Sequence, residues 1–143
     1  MAPDVASRMP EDRLNFAPGA QRSLDRIRDK LQTIKPGQDI AIGIRAIDTS
    51  GHTPGHVAIE ISSGRDAIIV LADALTHPTI SFAHPEWTPA ADHFDAERAV
   101  ATRKRLLDRL ATDRNRVIGY HLPYPGVGIV ERVGTTFRYV ATD

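Results

Sequence analysis

The 143-residue sequence contains no cysteine, which excludes disulfides, thiolate metal sites and cysteine nucleophiles. Basic and acidic residues are balanced at 18 each, and this neutrality argues against nucleic-acid binding, which usually depends on a basic excess. No run approaches the roughly eighteen apolar residues of a membrane-spanning helix, so we expect no membrane association. The N-terminus also lacks the apolar region of a secretory signal, which makes the cytoplasm the default expectation for localisation.

Three apolar runs predict the strands of a sheet. Residues 40–47 and 57–61 are rich in β-branched side chains, and residues 67–72 form the continuous apolar run of a strand buried on both faces. The first two runs flank the nonapeptide Asp48-Thr-Ser-Gly-His52-Thr-Pro-Gly-His56, whose glycines and proline predict a tight, shaped loop. The third run stops at Asp73, a carboxylate that is costly to bury unless it is paired or binds a cation.

Two helices and three further strands complete the expected fold. Leu24, Ile27, Leu31 and Ile34 recur at helical spacing and predict a helix over residues 19–34. A second helix is expected over residues 95–112, capped by Asp95 or Asp92. Strands are expected over residues 116–120, 127–133 and 136–140. This pattern predicts an α/β fold with a sheet of about five or six strands and both helices on one face.

The N-terminal residues and a long central segment stand apart from this pattern. Residues 1–17 show no periodicity and are expected to be a connecting segment before a domain over 18–143. Residues 74–94 form a segment too long for an ordinary loop and hold the only tryptophan. We expect a substrate pocket lined by Phe82, Trp87 and Phe94, together with Leu122. The alternative is that these aromatics only pin the segment to the core.

Three residues share one position in the expected fold, because His52, Asp73 and His121 each lie where a strand gives way to a loop. Mixed α/β folds gather their sites at such strand ends. Two imidazoles and one carboxylate, with no thiol, suit Zn²⁺ or a similar divalent ion, and a carboxylate can bridge two metals. The alternative is a set of polar loops whose histidines only contact water.

The order of these motifs resembles the metallo-β-lactamase superfamily. The sequence reads Gly-His52-Thr-Pro-Gly-His, then a hydrophobic strand ending in Asp73, then Tyr-His121-Leu-Pro-Tyr-Pro-Gly. It is most similar to the branch that contains methyl parathion hydrolase and related lactonases, and the segments around Trp87, Phe94 and residues 101–107 resemble that branch too. The resemblance implies the C-terminal half of an αββα sandwich, with a mixed β-sheet and helices on its outer face.

The resemblance also implies roles for individual residues. His52 and His121 match metal ligands, Asp73 matches the carboxylate that bridges two metals and holds the catalytic hydroxide, and His56 matches a supporting residue. The cofactor implied is a pair of divalent ions, zinc in the first place, with Mn, Fe or Co as alternatives. The activity implied is hydrolysis of a small-molecule ester, lactone or phosphotriester by a metal-bound hydroxide. The remaining histidines match no ligand and are expected to pack or contact solvent: His77, His84 and His93.

One departure from the family pattern changes the expectation for this chain. The superfamily signature His-x-His-x-Asp-His, which lies upstream of these motifs, has no match here. We therefore expect a fragment, a truncated gene product or one piece of a split protein, inactive alone and completed by a missing N-terminal half or associating with itself. The alternative function is a non-catalytic truncated remnant or interaction module.

Overall fold

The computed structural model of the protein describes residues 17–88 and 94–142, so the expected connecting segment lies almost wholly outside the described residues. The chain divides into two compact units, Met1–Ile34 and Lys35–Asp143. In the first unit, helix α1 spans Ala17–Arg26 and a short 3-10 helix spans Arg28–Lys30.

The helix expected over residues 19–34 was therefore predicted too long. The last residues of that span include β-branched Thr33 and Ile34, and Pro36 follows two residues after Ile34. Both features disfavour a helical backbone. The expected packing of this first helix against the sheet stays a prediction.

The second unit is built on a mixed seven-stranded sheet whose strands lie in chain order. Every neighbouring pair is antiparallel except β4 and β5, which run parallel. The α/β class with a mixed sheet is thus confirmed, with more strands than expected. The strands are β1 (Asp39–Ala41), β2 (Ile44–Asp48), β3 (Val57–Ser63), β4 (Asp66–Val70), β5 (Arg116–Ile118), β6 (Val127–Val133) and β7 (Thr136–Ala141).

The additional strand arises because the single strand expected over residues 40–47 is interrupted. A turn at Ile42 and Gly43 separates β1 from β2 and folds them into a hairpin. Gly43 has φ +74°, and a Cβ there would lie 2.5 Å from the carbonyl oxygen of Ser62. Only glycine accepts both the left-handed backbone and this close approach.

The connection from β4 to β5 contains the helices of this unit. A 3-10 helix spans Ala72–Ala74, and helix α2 spans Ile80–Ala83 within the segment that we expected to be irregular. Helix α3 spans Ala96–Asp113, and the side chain of Asp95 caps it by accepting a hydrogen bond of 3.0 Å from the backbone N–H of Arg98. None of the helices within residues 17–88 and 94–142 has the length and apolar character needed to cross a membrane.

The hydrophobic core lies between the helices and one face of the sheet. Helix α3 buries Leu106, Leu107 and Leu110 there, and α2 adds Phe82, which has no exposed surface. Because side chains alternate along a strand, the strand residues of this core cluster share one face. They are Ala58, Ile69, Val117, Val130 and Phe137.

The opposite face of the sheet carries a second apolar set, which we call the open face. Its members are paired across the strands and consist of Ile44, Val57, Ile59, Ile61, Ile68, Val70, Ile118, Val127, Ile129 and Val140. Each of these side chains is partly exposed, up to 41% for Ile61, whereas Ala46, which pairs with Ile59 on the same face, is fully buried. A contiguous exposed apolar surface on a soluble protein typically meets another protein layer.

Candidate metal centre

The direction of the strands brings the predicted site residues to one edge of the sheet. Strands β2 and β4 are both antiparallel to β3, and β4 is parallel to β5. The three therefore run in the same direction, and their C-terminal ends lie at the same edge. His52 follows β2, Asp73 follows β4, and His121 follows β5.

His52 is carried by the loop that joins β2 to β3. The backbone N–H of Thr49 donates to the carbonyl of His56 at 3.0 Å and closes the loop at its base. Helix α3 holds the same loop from the side, since the hydroxyl of Thr102 donates to the carbonyl of Ser50 at 2.9 Å. Thr102 is buried, so this contact between helix and loop is shielded from water.

The loop that carries His121 has the same closure. The backbone N–H of Gly119 donates to the carbonyl of Gly126 at 3.0 Å, and Leu122 is buried beneath the loop in the core. His121 itself is accessible, with 37% of its side chain exposed. Both imidazoles are therefore presented by loops fixed at their bases, which limits the motion of the side chains.

Asp73 lies between the two histidines. Its Oδ1 is 3.0 Å from Nε2 of His121, and its Oδ2 is 3.7 Å from Nε2 of His52. The phenol of Tyr120 also donates a hydrogen bond to Oδ1. Partial burial alone would raise the pKa of Asp73, but the hydrogen bonds from Tyr120 and His121 and the charge of nearby His52 leave its pKa below the usual value.

His56 supports Asp73 from behind. The backbone N–H of Asp73 donates to Nε2 of His56 at 3.2 Å, so this nitrogen is the acceptor and the ring proton is on Nδ1. Nδ1 lies 2.7 Å from the hydroxyl oxygen of Thr49, to which it donates. The imidazole thus links the base of the His52 loop to the backbone of Asp73 and is engaged on both nitrogens.

This donor set fits part of a paired site for divalent ions. Each oxygen of Asp73 faces a different imidazole, Oδ1 that of His121 and Oδ2 that of His52. In the part of the chain that the structure describes, no group of three or more histidine, aspartate or glutamate side chains is arranged to hold one ion. Imidazole and carboxylate donors suit zinc. The donors among the described residues are too few to hold an ion on their own. The role of His52, Asp73 and His121 as ligands therefore stays a prediction.

The expected substrate-pocket residues lie in different environments. Phe82 and Leu122 are core residues with 0% and 7% of their surface exposed. Trp87 is 54% exposed and stacks on His84 with ring centroids 4.1 Å apart, and Phe94 is partly exposed. Packing accounts for the two buried side chains, and contact of any of the four with a substrate stays a prediction.

The other described histidines contact residues outside this cluster. Nδ1 of His77 accepts from the backbone N–H groups of Thr79 and Ile80 at the start of α2. His84 contacts Glu86 at 3.3 Å as well as Trp87. His93 lies outside the described residues. For His77 and His84 the structure gives the local packing role that we expected.

Sequence reasoning missed Tyr120, which shares Oδ1 of Asp73 with His121. The only signal was its position next to His121. It also missed Arg103, which is 5% exposed and donates to the carbonyls of Pro85 at 3.0 Å and Trp87 at 2.8 Å. These two hydrogen bonds connect the segment after α2 to helix α3.

Comparison with known proteins gives matches at the level of structure. No protein-family model and no curated protein sequence matches the chain. Among solved structures, it is similar to AidC, a dizinc quorum-quenching lactonase solved with a product N-hexanoyl-L-homoserine. That match has 30% identity and a TM-score of 0.84 and covers 94% of this chain and 45% of the lactonase.

Two further solved structures agree with this match. AbOPH, a hydrolase in the β-lactamase superfamily, is 26% identical with a TM-score of 0.86, covering all of this chain and 51% of its own. A probable metal-dependent hydrolase from Staphylococcus aureus shares the fold with 20% identity and a TM-score of 0.65, covering 81% of this chain and 41% of its own. The chain thus spans about half the length of the proteins that it matches.

Proposed function

Because this chain has the fold of the C-terminal half of a metallo-β-lactamase-superfamily hydrolase, we propose that it supplies one side of the active site of a zinc-dependent hydrolase. The observation that carries the proposal is the meeting of His52, Asp73 and His121 at one edge of the sheet, with Asp73 within 3.0 Å and 3.7 Å of the two imidazoles. A purely structural role would not require these three side chains to converge at one edge of the sheet. Neutral imidazoles and a carboxylate that meet at one edge of a sheet suit a bound cation.

Each residue of the cluster has a distinct role in this proposal. His52, Asp73 and His121 would contribute to holding the two ions. When bound, such ions supply Lewis acidity and an activated water at neutral pH. Asp73, whose carboxylate faces both imidazoles, would also orient the attacking water. His56 keeps the backbone of Asp73 in place through its acceptor nitrogen.

We infer the substrate class from the solved structures that the chain matches. The lactonase of 30% identity holds a ring-opened acyl-homoserine product, and AbOPH is also a hydrolase. We therefore propose a small molecule with a lactone, ester or phosphotriester group as the substrate. An exposed apolar side chain such as Trp87 could contact its non-reacting part.

The remaining half of the site would come from an N-terminal half-domain. The chain covers about half of its structural relatives, and the open face is an apolar layer that a second sheet could cover. The missing signature His-x-His-x-Asp-His would then supply the further ligands for the two ions. On this proposal the 143-residue chain alone is hydrolytically inactive.

The proposal is tested by joining the chain to an N-terminal half-domain that carries His-x-His-x-Asp-His, taken from the dizinc lactonase. The joined protein should hydrolyse lactones or aryl esters with Zn²⁺ or Mn²⁺, lose turnover on adding a chelator, and lose it again with His52→Ala. His77→Ala is the matched control, because His77 contacts only the start of α2, and it should keep full turnover. A compact monomer of the isolated chain with chelator-sensitive turnover would show instead that this half is an enzyme by itself.

The alternative, a non-catalytic interaction module, is favoured by one observation, the open face. It makes a different prediction for the same experiment. The joined protein would fold and bury the open face but would show neither zinc binding nor turnover, and His52→Ala would change nothing.

A further inference from the structure

We propose that Tyr120 is a positioning residue of the centre, which holds one oxygen of Asp73 and so decides which carboxylate oxygen faces His121 and which faces His52. The contact between Tyr120 and Asp73 stands on the structure, while its consequence for a metal ion rests on the proposed function. Tyr120 matches no role that the family resemblance implies for this chain.

The geometry around Tyr120 is specific. Its phenol donates to Oδ1 of Asp73, the same oxygen that lies 3.0 Å from Nε2 of His121. Its ring lies against the imidazole of His121, with centroids 4.1 Å apart and an interplanar angle of 36°. One side chain thus contacts both the carboxylate and one of the two histidines.

Burial does not explain where the Tyr120 side chain lies, because 69% of its surface is exposed. An exposed tyrosine gains little from packing, so the contacts with Asp73 and His121 fix its position. A carboxylate on a short side chain can rotate about its last bond, and each added donor restricts that rotation. With Oδ1 held by the phenol, Oδ2 is left facing His52 at 3.7 Å.

The consequence for metal binding follows from the cost of disordering a ligand. Groups that hydrogen-bond to metal ligands orient them, and removing one typically weakens metal binding by about 10- to 100-fold. Tyr120→Phe keeps the ring beside His121 and removes only the hydroxyl. It therefore isolates the contact with Asp73.

The chain offers a matched control in Tyr124, which lies in the same loop and is 98% exposed. Tyr124→Phe removes a phenol of the same kind from the same segment without touching Asp73. The third tyrosine, Tyr139, donates to the carbonyl of Val127 at 2.7 Å and stays unchanged in both variants.

The experiment uses the full chain and two readouts. The first, without metal, is the tyrosine Raman doublet, whose intensity ratio reports whether a phenol donates to a strong acceptor. The difference between wild type and Tyr120→Phe should show a donating phenol, and Asp73→Ala should abolish it. The second uses the chain joined to the N-terminal half-domain and measures zinc affinity by competition with a chromophoric chelator, where Tyr120→Phe should weaken binding about 10-fold or more and Tyr124→Phe should not.

Each outcome decides something. A Raman signature that Asp73→Ala leaves unchanged would overturn the positioning of Asp73. Equal zinc affinity of the two variants, or tighter binding by Tyr120→Phe, would overturn its consequence for the centre. If the joined protein with wild-type residues from this chain binds no zinc, the proposed function fails, while the Raman comparison still decides whether Tyr120 holds Asp73.

Discussion

The contact between Gly51 and helix α3 gives the sharpest test of how the His52 loop is held. Gly51 has φ +135°, and a Cβ at this position would lie 2.4 Å from both Cα and N of Ala99. These are backbone atoms in the first turn of a long helix, so they cannot move aside as a side chain could. Gly51→Ala must therefore push the loop away from the helix or distort both.

The size of the effect can be worked out from this geometry. A strained backbone at a non-glycine residue costs about 1–3 kcal/mol, and an overpacked methyl costs about 1–3 kcal/mol more. If the loop moves instead, it loses the bond from Thr102 to Ser50, worth about 1 kcal/mol. Gly51→Ala should thus lower the free energy of unfolding by about 2–6 kcal/mol.

Gly55→Ala is the matched control for this substitution. Gly55 lies in the same loop with φ +73°, and a Cβ there meets no atom within 4 Å. It should cost only the backbone strain of about 1–2 kcal/mol. Urea denaturation of both variants checks the difference, and zinc competition checks whether Gly51→Ala also displaces His52. Equal destabilisation by the two substitutions would refute the idea that helix α3 positions this loop.

Three further substitutions test other contacts. Ile59→Lys on the open face should reduce self-association on a sizing column, whereas Ile42→Lys, at a fully exposed turn, should leave it unchanged. Arg103→Met removes the hydrogen bonds to the carbonyls of Pro85 and Trp87 and should lower the free energy of unfolding by about 2–4 kcal/mol. It should also shift the fluorescence emission of Trp87, the only tryptophan. Unchanged emission would contradict the contact between Arg103 and this segment. Burial alone would raise the pKa of Asp48, but hydrogen bonds from Ser50 and the charge of Arg98 in helix α3 lower its pKa below the usual value. Its ionised form therefore stabilises the fold at neutral pH, so Asp48→Asn should be less stable than wild type at pH 7, and urea denaturation should show the gap closing as pH falls through the lowered pKa.

The elements that sequence reasoning predicted best are those fixed by local pattern. The β-branched runs placed β3, β4, β6 and β7 close to their observed bounds, and Asp95 was among the two expected caps of helix α3. The expectation that His52, Asp73 and His121 lie at strand ends held for the same reason. Their meeting at one edge then follows from the directions of β2, β4 and β5.

The features that the sequence did not reveal depend on contacts between distant segments. Gly43 breaks an apparently continuous strand because its backbone packs beneath Ser62, a neighbour known only once β3 is in place. Phe82 belongs to the core because α2 forms within an irregular-looking segment. Tyr120 reaches Asp73 across 47 residues of sequence, so no local motif could have identified the pair.

The central claim is that Asp73 lies between two metal positions, one beside His52 and one beside His121. Anomalous diffraction at the zinc edge, from crystals of the zinc-loaded joined protein, shows where the ions bind. We expect anomalous density at Asp73 next to one or both of these imidazoles, and its loss in Asp73→Ala. Zinc found only at His77 or His84, or density at the Asp73 edge that survives Asp73→Ala, would contradict it.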